Sequence, residues 1–82
     1  MKDQAIPSLQ FLGQAIRSAR QKKGLTQQEL GKLVGLKQKT VSGAENGSPG
    51  IRLETLFRLL SGLDLNIVLQ TRVKPKKNQG EW

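Results

Sequence analysis

The stretch from Gly24 to Gly47, GLTQQELGKLVGLKQKTVSGAENG, constrains this chain more than any other part of it. Thr26 followed three residues later by Glu29 is the pattern of a capping box. In it the threonine hydroxyl and the glutamate carboxylate each satisfy a free backbone N–H at the start of a helix. Leu30 and Leu33 supply the inner face of that helix, and Gly35 is placed to end it in a left-handed conformation that glycine adopts cheaply. A further helix is expected from about Lys37 to Asn46, closed by Gly47. Around its axis Val41, Ala44 and Glu45 share one side; Lys39, Gly43 and Asn46 share the other, flanked by Thr40 and Ser42. The segment therefore spells two short helices joined by a tight turn.

The flanking sequence supplies the rest of a compact domain. Residues 1–7 form a short loose leader, and Ser8 is placed to cap a helix in which Leu9, Leu12, Ile16 and Ala19 recur at helical spacing as far as Gly24. Arg17, Arg20, Lys22 and Lys23 load its last turns with positive charge, which suits the negative end of the helix dipole. Gly47-Ser48-Pro49-Gly50 is a turn cluster. A fourth helix follows, from about Leu53 to Ser61, expected to bury Leu53, Leu56, Phe57 and Leu60 and to be closed by Gly62. Arg52 is a poor N-cap, partly offset by Glu54 in the first turn.

The periodicity then changes from helical to two. Leu63, Leu65, Ile67 and Leu69 alternate with Asp64, Asn66, Val68 and Gln70, the pattern of a half-buried strand. A lone strand cannot satisfy its own backbone groups, and pairing with the same strand of a second copy is the simplest remedy. The expected fold is thus all-α, a compact helix-turn-helix domain of four to five helices with one C-terminal β-strand that pairs across a dimer. The layout is a leader (1–7), a helix-turn-helix domain (8–62), a dimerisation strand (63–72) whose interface residues are Leu63, Leu65, Ile67 and Leu69, and a flexible basic tail (73–82).

Composition narrows the function. Fourteen Lys and Arg stand against six Asp and Glu, a net charge of +8 in 82 residues, which points to a polyanionic partner. With no Cys and no His, the usual zinc ligands, thiol nucleophiles and imidazole bases are missing, and the few carboxylates are scattered or engaged in caps and ion pairing. No acid–base pair has an evident source, so an enzyme is not expected, nor a metal or other cofactor. No apolar run approaches the ~20 residues of a membrane span, no signal-peptide pattern is present, and the basic residues do not line one amphipathic face. The expected location is the cytoplasm, without a membrane partner.

Double-stranded DNA is the polyanion that the helix pair suits. The second helix of such a pair needs an inner face that anchors it and an outer face of donors and acceptors for base edges. Leu36, Val41 and Ala44 meet the first need. Lys37, Gln38, Lys39, Thr40 and Ser42, near the N-terminal end that docks deepest, meet the second, with Asn46 on the same side. Gln27 and Gln28 open the preceding helix, where side chains and free N–H groups are placed to hold a phosphate. Glu45 lies on the inner side, where a carboxylate must be paired; Arg20, four residues after Ile16, is the expected partner in a structural ion pair. Trp82 is the only Trp in a chain without Tyr, and it suits an interface anchor for a partner protein.

The block Ile16-Arg17, Gly24-Leu25-Thr26-Gln27-x-Glu29-Leu30, Val34-Gly35, Val41-Ser42-x-x-Glu45-Asn46-Gly47 and Leu53-Glu54-Thr55-Leu56 resembles the λ-repressor-like helix-turn-helix family of the Xre type. That resemblance implies a phosphate contact at Gln27, base reading at Gln38, Lys39 and position 43, and a core pair between Arg20 and Glu45. The chain departs from the family pattern in Gly43, which is blank where a reading side chain often stands, and in Ala44, which is a small anchor. The stretch Gly35-Leu36-Lys37-Gln38-x-Thr40-Val41-Ser42, the 63–70 segment and the final Glu81-Trp82 are in turn similar to the HipB-type antitoxins. This implies a bacterial homodimer, on the nucleoid at a palindromic operator, that represses its own operon. It also implies a partner, a HipA-like kinase toxin, with Trp82 as a contact. A stand-alone phage or plasmid repressor with no toxin partner is the alternative that the residues leave open.

Overall fold

The computed structural model describes residues 4–72, which contain four helices: α1 (Leu9–Lys22), α2 (Gln27–Val34), α3 (Gln38–Glu45) and α4 (Leu53–Gly62). The Ser8 hydroxyl accepts the Phe11 N–H at the start of α1, and Arg20 and Lys22 stand in its last turn. At α2 the capping box is complete: Thr26 Oγ1 accepts from the Glu29 N–H at 3.0 Å, and Glu29 Oε1 accepts from the Thr26 N–H at 2.8 Å. Gly35 follows α2 with φ 75°, and this left-handed residue turns the chain so that Leu36 packs on the core and α3 begins two residues later. α3 packs against both α1 and α2, while α4 packs against α2.

The core is a single cluster of Ile16 from α1, Leu30 from α2, Val41 and Ala44 from α3, and Leu56, Leu59, Leu60 and Leu63 from α4 and its end. Two details of the expected core are corrected. Phe57, Leu53 and Leu33 are half or more exposed, at 51%, 60% and 62%, and Leu59, fully buried, is the main contribution of α4. The reason is helical phase. Leu56, Leu59, Leu60 and Leu63 sit at spacings of three, four and seven and make one stripe, which leaves Leu53 and Phe57 on its flank.

The end of α4 also differs from expectation. Gly62 is the last helical residue, and the left-handed position falls two residues later on Asp64, φ 59°. The Leu65 N–H then reaches back to the Leu60 carbonyl at 2.8 Å and the Asp64 N–H to Ser61, the same closure that ends α1 at Gly24 and α3 at Gly47. Leu63 is therefore the cap of α4 and part of its protomer's own core, not the first residue of a strand face. Residues 65–72 form no helix, and among the described residues no strand pairing is present. Leu65 packs against the core, whereas Ile67 and Leu69 are exposed, Leu69 at 92%.

Gly47 fixes how the end of α3 meets the start of α1. Its φ is 72°, and a Cβ there would lie 3.1 Å from the Gln10 backbone. Gly47→Ala is expected to combine left-handed strain with overpacking and to lower stability by about 1–3 kcal/mol. In a domain of this size that is a melting temperature lower by at least about 4 °C by circular dichroism. An unchanged melt would show that the α1–α3 junction is loose.

Candidate nucleic-acid interface

The turn at Gly35 delivers α3 with its first turn outward. Val41 and Ala44 are buried on one side of this helix, while Lys37, Gln38 and Lys39 are exposed at its start. Thr40 and Ser42 are half-buried along its flank. Lys37 is the N-cap residue; its ammonium has no acceptor with which to cap the helix, and the residue is exposed. Gly43 adds no side chain, and a Cβ there would lie 3.4 Å from the Ser48 hydroxyl, so the turn after α3 closes over that point. The exposed long polar side chains of α3 are thus gathered in its N-terminal half.

Gln28 is exposed at the start of α2, but Gln27 faces inward: its Nε2 donates to Glu45 Oε1 at 3.0 Å. Glu45, only 3% exposed, lies at the centre of the structure's main polar network. Arg20 grips it with two parallel bonds, Nε to Oε2 at 2.6 Å and Nη2 to Oε1 at 3.1 Å, and its Nη1 donates to the Leu25 carbonyl at 2.7 Å. Arg17 Nε adds a bond to Oε1 at 3.2 Å, and Arg17 Nη2 donates to Asn46 Oδ1 at 3.2 Å. Asn46 Nδ2 reaches the Ser42 hydroxyl at 3.5 Å, a long contact. The network ties together α1, the α1–α2 loop, the first residue of α2, and α3, so the carboxylate sets the pose of α3 relative to the rest of the domain.

Burial pushes the Glu45 carboxyl up, but the hydrogen bonds from Arg20, Gln27 and Arg17, with the Arg20 charge, outweigh it and hold the group below the usual carboxylate range. The hydrogen bond to Glu45, against an opposing effect of burial, raises Arg20 above its already high value.

The structure brings Arg20 and Glu45 together. It also adds Arg17 and Gln27 to that pair. Sequence alone points both elsewhere, Arg17 to the dipole end of α1 and Gln27 to a phosphate. Spacing held a signal for Arg17, which lies three residues before Arg20 and so on the same helix face. Nothing in the local sequence directs Gln27 inward. Of the proposed dimer residues, Leu63 is in the core, Leu65 packs against it, and Ile67 and Leu69 face outward. Trp82 and the rest of the 73–82 tail lie outside the described residues. Among the described residues no group of acids could hold a metal ion, and no helix is long and apolar enough to cross a membrane.

Residues 16–69 match the model of the helix-turn-helix family. Among curated proteins the chain is similar to antitoxin HipB of Escherichia coli strain K12, 41% identical over 69 residues, which covers 84% of this chain and 78% of that protein. Antitoxin HipB of Escherichia coli O6:H1 strain CFT073 is likewise 41% identical, with 73% of that protein covered. Among solved structures, a chain of a HipA-HipB-O2-O3 complex superposes with a TM-score of 0.78 at 39% identity, covering 84% of this chain and 97% of that one. A chain of a HipB-O4 20mer complex gives the same TM-score, identity and coverage. The restriction-modification controller protein C.AhdI of Aeromonas hydrophila is more distant, with a TM-score of 0.65 at 36% identity over 71% of this chain and 84% of that one.

Proposed function

The chain belongs to the helix-turn-helix family and, within it, to the HipB antitoxins, and from that premise we propose that it is a dimeric, sequence-specific DNA-binding repressor that acts as the antitoxin of a HipA-type kinase. It is a binding module and not an enzyme. The observation that carries this reading is the pose of α3, whose Lys37, Gln38 and Lys39 stand free at the end that docks deepest while Val41 and Ala44 anchor the other side. Thr40, Ser42 and Asn46 border that surface, and Gln28 flanks it from α2 as a phosphate contact. Gln27 has a second amide hydrogen beyond the one given to Glu45, and that hydrogen is available to a phosphate.

In this reading residues 8–62 bind DNA, and the segment that follows joins two copies. Leu65, Ile67 and Leu69 form one face of a strand paired with its symmetry mate, and the outward position of Ile67 and Leu69 in the isolated chain supports that role. Two copies of α3 related by a two-fold axis call for a palindromic operator with half-sites about 34 Å apart or a multiple of that. The 73–82 tail, ending in Glu81-Trp82, is assigned to the kinase, and the protein to the bacterial cytoplasm.

Deleting Gln79 to Trp82 separates the antitoxin from a stand-alone repressor. The expected result is kinase binding weakened by about 2 kcal/mol or more, as for loss of an aromatic anchor, with operator affinity unchanged. Calorimetry with the purified kinase and gel shifts with the operator measure the two arms. Full kinase affinity after the deletion would remove the tail from the interface.

A further inference from the structure

The network around Glu45 contains more positive charge than its carboxylate needs. Arg20 alone meets both carboxylate oxygens in a fork and spends its remaining nitrogen on the Leu25 carbonyl, and its side chain is 12% exposed. That arrangement neutralises and orients Glu45 without help. Arg17 is a second guanidinium on the same carboxylate, yet its side chain is 45% exposed, and among the described residues its ion pairing is with Glu45 alone. One negative charge therefore serves two cations, and the surplus lies at the surface on Arg17.

Arg17 is also held in a fixed place. Its Nε is on Glu45 Oε1 and its Nη2 on Asn46 Oδ1, so the planar group is pinned at two points, while among the described residues none takes its other donors. The oxygen that takes Arg17 Nε also takes Gln27 Nε2, which puts the guanidinium beside the Gln27 amide, and Asn46 links it to Ser42 on the flank of α3. A structural arginine has no need to be left half in water at the junction of three residues assigned to DNA. A pre-positioned cation there suits an anion arriving from outside, and guanidinium binds phosphate in a fixed, forked geometry.

We infer that Arg17 is a phosphate-contacting residue of the DNA interface, positioned for it by Glu45 and Asn46. The inference rests on the DNA-binding reading and assigns it a contact at the α1 side of α3, made by a residue outside the base-reading set. Because a phosphate contact carries no sequence information, Arg17 contributes affinity and not discrimination.

The test is a salt titration of the full-length wild-type, Arg17→Gln and Arg17→Lys proteins on an operator duplex and on a scrambled duplex, followed by fluorescence anisotropy. Arg17→Gln is expected to weaken binding to both duplexes by the same factor, roughly ten-fold or more near 0.1 M salt. The slope of log affinity against log salt should become shallower by about 0.9 for each Arg17 lost, or roughly 1.8 for a dimer. Arg17→Lys keeps the charge but loses the fork to Glu45 and Asn46, and it should retain the wild-type slope. An unchanged slope in Arg17→Gln overturns the inference and leaves Arg17 a purely structural partner of Glu45. Should Arg17→Gln melt before it can be titrated, single neutral methylphosphonates placed along the operator decide, with wild type compared against Arg17→Lys: a phosphate whose neutralisation costs the two proteins different factors supports the contact, and identical profiles overturn it. Failure of the DNA-reading premise is seen separately, as equal affinity of the wild-type protein for the two duplexes.

Discussion

Replacing Glu45 with Ala is expected to destabilise the domain by about 3–5 kcal/mol, a large part of the stability of a chain this small. The loss comes mainly from what the carboxylate leaves behind. Arg20, 12% exposed, would keep its charge with only the Leu25 carbonyl as partner, and Gln27 Nε2 and Arg17 Nε would each lose their acceptor. Thermal melting measures the effect, and a shift below about 4 °C would mean the network is ornamental. Glu45→Gln keeps the shape and an amide oxygen but not the charge, and it should fall between wild type and Glu45→Ala.

The same carboxylate gives a dependence on pH. Its folded pKa lies below the unfolded value, so the folded state binds the proton less readily than the unfolded chain. The stability it contributes is complete above the ordinary carboxylate range, near pH 4–5, and is lost as pH falls through the lower folded value. Wild type should therefore lose more stability than Glu45→Gln between about pH 5 and acid, and the gap between the two should narrow in that window. A constant gap across it would place the network's contribution elsewhere than in the charge.

The second large effect concerns recognition. Gln38→Ala and Lys39→Ala together should leave the melting temperature nearly unchanged, because both side chains are exposed, while the preference for the operator collapses. A bidentate contact discriminates by about 1–3 kcal/mol, and each is made twice by a symmetric dimer. The double substitution should thus cut the ratio of operator to scrambled affinity by at least about ten-fold. Retained preference would move base reading away from the start of α3, towards Lys37 or the Ser42–Asn46 flank.

The helix-turn-helix unit was legible because its signals are local. The Thr26–Glu29 box, the turn at Gly35 and the Leu30, Val41 and Ala44 anchors each depend on residues within a few positions of one another. What was not legible depends on phase and on distance. Leu53, Phe57 and Leu59 all fit an apolar face of α4, and only packing against α2 selects Leu59. Leu63 suits both a strand register and the end of a helical stripe; the left-handed turn at Asp64, with the Leu65 N–H on the Leu60 carbonyl, decides for the helix. At Glu45, the need for a partner was readable from its place on the inner face. The convergence of Arg17, Arg20 and Gln27 on it joins residues 18 to 28 positions away and follows only from the tertiary arrangement.

Everything proposed for this protein requires that α3, seated by the Glu45 network, read a particular DNA sequence. Its most direct test is the affinity of the wild-type protein for the duplex upstream of its own gene, compared with a scrambled duplex of equal length at moderate salt. Binding to the upstream duplex is expected to be tighter by roughly a thousand-fold or more, with both affinities falling steeply as salt rises. Equal affinity for the two duplexes would contradict it and reduce the exposed face of α3 to a basic surface without a code.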